Sequence, residues 1–148
     1  MVASAAQQFE VHPRRVADVL VDPEAIERWS PVPFRITGEV SRRLRRGDHV
    51  TVEATLVGRG LRFEVAIEQA DERGLTLHAT GPFEIEARYA IDPGPSRVSA
   101  EVETWGGGLR GRVFASAANT LLSAGILDDA LARLVDEASD HALAGAMR

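Results

Sequence analysis

From Phe34 onward hydrophobic and polar residues alternate with a period of two. Phe34, Ile36, Gly38 and Val40 share one side against Arg35, Thr37 and Glu39, the mark of a strand with one buried face. The alternation recurs in Val50, Val52, Ala54 and Leu56, and again in Leu61, Phe63, Val65 and Ile67, with Gly58-Arg59-Gly60 between them as a hairpin signal. It continues through Leu75, Leu77 and Ala79, then Phe83, Ile85, Ala87, Tyr89 and Ile91, then Val98, Ala100, Val102 and Thr104. Breaks fall at Asp71 to Gly74, at Gly81-Pro82 and at Asp92 to Ser96, where turn-forming residues cluster. Consecutive strands joined by tight turns predict an antiparallel meander.

The two ends follow another period. A short strand is expected around Ala5 to Val11. Pro13 then opens a helical stretch with Val16, Val19 and Leu20 on one face, and Asp22-Pro23 caps a second short helix through Ile26 to Trp29 that stops at Ser30-Pro31. After Gly106-Gly107-Gly108, apolar residues from Val113 and Phe114 to Ala138 and Ala142 recur at steps of three and four. That spacing predicts one long amphipathic helix, with a bend near Ser123 to Gly125.

The expected class is therefore α+β, a seven-stranded curved antiparallel sheet around a long C-terminal helix, with two short helices between strands 1 and 2. The sheet has one apolar face and the last helix must cover it. A curved sheet of seven strands is larger than one helix can fill, so an apolar cavity is the expected by-product.

The segment Phe9-Glu10-Val11-His12-Pro13, with Val16, Leu20, Asp22-Pro23 and Trp29-Ser30-Pro31, resembles the opening of the helix-grip superfamily. That superfamily includes START lipid-transfer domains, the birch-pollen-allergen (Bet v 1) type and bacterial polyketide cyclases and dehydrases. The closing glycine-rich turn followed by a long helix is similar too, and the resemblance covers nearly the whole chain. It implies an apolar pocket without naming a ligand, and it implies an aromatic near the pocket entrance at Trp29.

Composition narrows the classes. The 148 residues suit one domain, 1–148, with a core of its own. There is no cysteine, so disulfides, thiolate metal sites and cysteine nucleophiles are out, and a reducing compartment, the cytoplasm, is the expectation. No apolar run reaches the ~20 residues of a membrane span and the start lacks the order of a secretory signal, so no stable membrane insertion is expected. A net charge of −5 argues against nucleic-acid binding. All basic residues are arginine, a pattern of GC-rich coding that fits a bacterial source.

Strand parity asks which polar groups point inward. Tyr89 and Thr104 do, among aliphatic and aromatic neighbours, whereas most strand carboxylates, His49 and His78 have the opposite parity. Tyr89 either orients a ligand carbonyl or hydroxyl or bonds backbone within the core. Asn119, on the last helix, either reaches the cavity or faces solvent. Trp29 is either pocket rim or packing, and Trp105 should point outward. The candidate ligand-binding set is Trp29, Phe34, Ile36, Phe63, Leu77, Phe83, Ala87, Tyr89, Thr104, Asn119 and Leu122.

The histidines His12, His49, His78 and His141 lack ligand spacing, so no metal and no cofactor are expected. Gly106 to Gly108 with Arg110 and Arg112 has neither the spacing nor the lysine of a phosphate loop and reads as a hinge. Arg42-Arg43-Leu44-Arg45-Arg46 reads as a solvated hairpin loop. Three functions remain open: binding of a small hydrophobic molecule of lipid, polyketide or isoprenoid type, a polyketide cyclase, aromatase or dehydratase acting on one, or a surface module for a protein partner. The catalytic residues and the state, monomer or homodimer, are left open.

Overall fold

The structure, a computed structural model, describes residues 2–38, 43–56, 58–94, 96–121 and 125–146, with all their side chains except those at 56, 110, 114, 117, 119, 121 and 141–146. In chain order the elements are β1 (Val2–Gln8), α1 (Pro13–Leu20), α2 (Pro23–Trp29), β2 (Phe34–Thr37), β3 (His49–Leu56) and β4 (Arg59–Asp71). They are followed by β5 (Gly74–Thr80), β6 (Glu84–Pro93), β7 (Ser96–Trp105), α3 (Gly108–Leu121) and α4 (Leu127–Ala146). The seven strands form one antiparallel sheet in the order β1-β7-β6-β5-β4-β3-β2, so every neighbour from β2 to β7 is a sequence neighbour. Only β1 closes the sheet from a distance, with Val2 opposite Glu103 and Gln8 opposite Arg97.

The first strand lies earlier than the sequence suggests. It ends at Gln8 rather than near Val11, because Phe9 leaves the ladder to bury its ring while its N–H still bonds the Ser96 carbonyl at 3.1 Å. The next residues turn the chain into α1. There the His12 ring accepts the Arg14 N–H at 3.1 Å and Pro13 occupies the first turn, so a histidine that looks idle in the sequence is a helix cap. Asp22 does the same for α2, accepting the Glu24 N–H at 3.0 Å. The buried faces are Val16, Ala17, Val19 and Leu20 of α1, and Ala25 and Trp29 of α2.

The hairpins follow the alternation closely. Along β7, Val98, Ala100, Val102 and Thr104 are buried while Arg97, Glu101 and Trp105 are exposed. The outer face of the sheet carries charge pairs and polar ladders: Arg35 with Glu53 at 3.5 Å, Arg88 with both Glu86 and Glu101, and the Thr51 hydroxyl donating to the Glu64 carboxylate at 2.9 Å. One turn is set by close approach. Gly74 begins β5 opposite Ala90, and a Cβ there would lie 1.9 Å from the Tyr89 carbonyl oxygen.

The long C-terminal helix is present, as α3 and α4 on either side of residues 122–124, which lie outside the described residues; at the end of the stretch where the sequence places a bend, Gly125 has φ +87°. A positive φ at this glycine lets the chain turn where L side chains resist it. α4 packs against α1, α2, β1 and β7, and α3 packs on β7. Leu127, Leu131, Leu134 and Ala138 of α4 bury themselves completely or nearly so. Arg28 of α2 grips Glu137 of α4 through two hydrogen bonds of 2.7 and 3.3 Å, and the carboxylate raises the guanidinium pKa.

Candidate functional site

Beneath α2 and beside α3, the concave face of the sheet borders a cavity of about 180 Å³. Each wall has a different origin. The sheet contributes alternate residues of its strands: Phe34 and Ile36 from β2, Val50, Val52 and Ala54 from β3, Phe63, Val65 and Ile67 from β4. Leu75, Leu77 and Ala79 of β5, Ile85, Ala87 and Tyr89 of β6, and Val102 and Thr104 of β7 complete that wall. Parity alone puts them there, since side chains two apart on a strand share a face. The opposite wall is Ile26 and Trp29 of α2, the Ser30 to Val32 segment after it, and Ala118 of α3.

None of the described lining residues carries a charge. Their polar side-chain groups are the hydroxyls of Ser30, Tyr89 and Thr104 and the indole N–H of Trp29. Ser30 is spent locally, its hydroxyl donating to the Val32 carbonyl at 2.8 Å and accepting the Val32 N–H at 3.3 Å. Thr104 is buried and engaged. Tyr89 is 5 % exposed, and burial pushes its phenol pKa well above the ordinary tyrosine value. The Trp29 ring stands edge-on to Tyr89, with centroids 5.1 Å apart and planes at 79°, and its indole N–H reaches the Val19 carbonyl at 3.4 Å.

Of the residues singled out from the sequence, Trp29, Phe34, Ile36, Phe63, Leu77, Ala87, Tyr89 and Thr104 come together on this cavity. Phe83 does not. It sits one residue before β6, 1 % exposed, with its ring edge-on to Phe63 at 5.3 Å, so it backs the wall rather than forming it. The Asn119 side chain and Leu122 lie outside what the structure describes. Trp105 points out of the sheet, edge-on to His78, which also contacts Glu84 at 3.2 Å.

Two parts of the lining escape a reading of the strands. Leu44 stands among arginines yet is 6 % exposed and lines the cavity; its N–H donates to the Val21 carbonyl at 2.8 Å and Arg43 pairs with Asp18. The segment is therefore a clamp between the β2–β3 connection and the end of α1, not only a solvated loop. A lone leucine inside a charged run is the signal that could have found it. Ser30 to Val32 is the other, where two prolines flank an apolar residue that has no strand parity to read.

No family model matches the sequence, and no curated protein matches it. Solved structures do. The protein TTHA0849 from Thermus thermophilus superposes with a TM-score of 0.68 at 17 % identity, over 95 % of this chain and 99 % of that one. A START superfamily protein from Mycobacterium smegmatis gives 0.60 at 18 %, over 92 % and 97 %. DynU16, a protein of the dynemicin biosynthetic locus, gives 0.57 at 16 % over 91 % of this chain, which spans 46 % of DynU16. At such identities the likeness speaks for architecture. The chain has the helix-grip fold, as the resemblance of its opening segment implied, and it shares that fold with a START superfamily protein along almost the whole length of both.

Proposed function

We propose that this chain binds a small hydrophobic molecule in the cavity between the sheet and the helices. The observation that carries the reading is a cavity of about 180 Å³ whose described walls hold no charged side chain. The volume suits the smaller members of the lipid, polyketide and isoprenoid classes, since a dry engineered cavity of ~150 Å³ takes up benzene. Binding without turnover is favoured over a cyclase, aromatase or dehydratase. Among the described lining residues Tyr89 is the one titratable group, and its raised pKa makes it a poor proton donor and no base at neutral pH.

The test is native mass spectrometry of the purified protein, with extraction of whatever co-purifies, and titration with a hydrophobic fluorescent probe. Wild type should bind one probe per chain. Ala87→Trp, which projects an indole into the cavity from the middle of β6, should lose binding while still unfolding cooperatively. A protein that co-purifies with no apolar molecule and binds neither the fluorescent probe nor a one-ring apolar compound refutes the reading.

A further inference from the structure

The Tyr89 hydroxyl makes no hydrogen bond to any described residue, although the residue is buried and tyrosine hydroxyls so placed usually find a partner. Among the described residues, no polar side-chain atom is sealed off without a partner. An unpartnered Tyr89 oxygen is therefore not sealed into protein, and the open space that its residue borders is the cavity. The Ser30 hydroxyl is engaged with Val32, and Thr104 has a partner of its own. One O–H donor is thus left facing an otherwise apolar space.

We propose that the cavity takes an uncharged molecule about the size of one substituted ring, bearing a single hydrogen-bond-accepting oxygen that the Tyr89 hydroxyl holds. The inference rests on the binding function proposed above and adds the chemistry of the guest. Charge is excluded by the wall, because an ion brought in without a counter-charge loses its hydration and gains nothing in return. Size follows from the volume. The oxygen's place follows from the sheet register. Tyr89 lies opposite Ala100, and Thr104 lies four residues further along β7, roughly 13 Å at the usual strand rise. A ring-sized guest held by Tyr89 stays at the Trp29 end, with its oxygen at one extremity and its ring against the Trp29 indole and Leu75. Phenol desolvation keeps the donor protonated throughout the physiological range.

The experiment uses three probes of equal heavy-atom count: acetophenone, isopropylbenzene, in which the carbonyl is replaced by a CH–CH₃ unit, and benzoate. Affinities are measured by ligand-observed NMR with the full chain, beside the fluorescent probe of the preceding test. Acetophenone should bind wild type about fivefold more tightly than isopropylbenzene, the value of one neutral hydrogen bond, and benzoate should not compete. Tyr89→Phe should erase the preference and leave isopropylbenzene unchanged, with its thermal unfolding recorded to show that the fold is intact. The wild-type comparison stands without any variant. Equal binding of the two neutral probes, or a preference that survives Tyr89→Phe, overturns the role of Tyr89. Benzoate binding as tightly as acetophenone overturns the neutral guest, and fluorescent-probe binding without any of the three overturns the size. Failure of the fluorescent probe as well takes away the binding function itself.

Discussion

Raising the pH isolates a single side chain in this protein. The sequence has one tyrosine, no cysteine and no lysine, all its basic side chains besides histidine being arginine. Between about pH 9 and 11.5 the Tyr89 phenol is accordingly the one side chain with an ordinary pKa in range. In the unfolded chain it ionises near pH 10, whereas burial raises its pKa in the fold. Above pH 10 the unfolded state binds fewer protons than the native one, so stability is intact below the unfolded pKa and falls as pH rises beyond it. The slope is ~1.4 kcal/mol per pH unit for one proton, hence a loss of about 2 kcal/mol by pH 11.5. Against a total stability of order 5–15 kcal/mol that is easily measured. Urea unfolding followed by tryptophan fluorescence at pH 8, 9, 10, 11 and 11.5 gives the curve, and tyrosinate absorbance of the folded protein should stay flat over the same range. Tyr89→Phe should remove the alkaline decline. The reasoning is refuted if tyrosinate appears near pH 10 while the protein is folded, or if the variant declines as steeply as wild type.

Two substitutions test the frame around the cavity. Gly74→Ala drives a Cβ to within 1.9 Å of the Tyr89 carbonyl oxygen on the neighbouring strand; the backbone must separate, and denaturant melts should show a loss above ~2 kcal/mol. Leu44→Ala should cost about 2–4 kcal/mol by the same assay, as for a buried leucine, and should weaken probe binding, because Leu44 both fills the core and lines the cavity. A cost below ~0.5 kcal/mol would mean that the arginine segment is not clamped.

The sheet is legible in the sequence because its strands are half-buried: a period of two survives from Phe34 to Thr104 with few exceptions, and parity alone sorts Phe63, Ala87, Tyr89 and Thr104 onto the concave face. Where one residue does not repeat, the pattern has nothing to say. Leu44 shows apolar character once, between arginines, and its burial depends on Val21 offering a carbonyl some twenty residues away. β1 is composed of Ala, Ser and Gln with a single valine, so its position is decided by its partner β7 rather than by its own alternation. Phe83 has the right parity but precedes the ladder, and its ring turns to Phe63 instead of the cavity. His12 caps α1 by a local geometry that composition does not reveal.

The order of strands also sets the order of assembly. From β2 to β7 each pairing joins chain neighbours, so every hairpin closes a short loop at little entropic cost. β1 must instead find β7 across roughly ninety to a hundred residues, and α1 must likewise find α4. Contacts so remote slow the search, placing folding in the milliseconds-to-seconds range of non-local β topologies. The meander can precede both ends, and the cavity acquires its far wall only when those ends arrive. Until then the concave face, lined by apolar side chains, stands open to water and to other chains, so concentration during refolding should govern yield more than the final stability does.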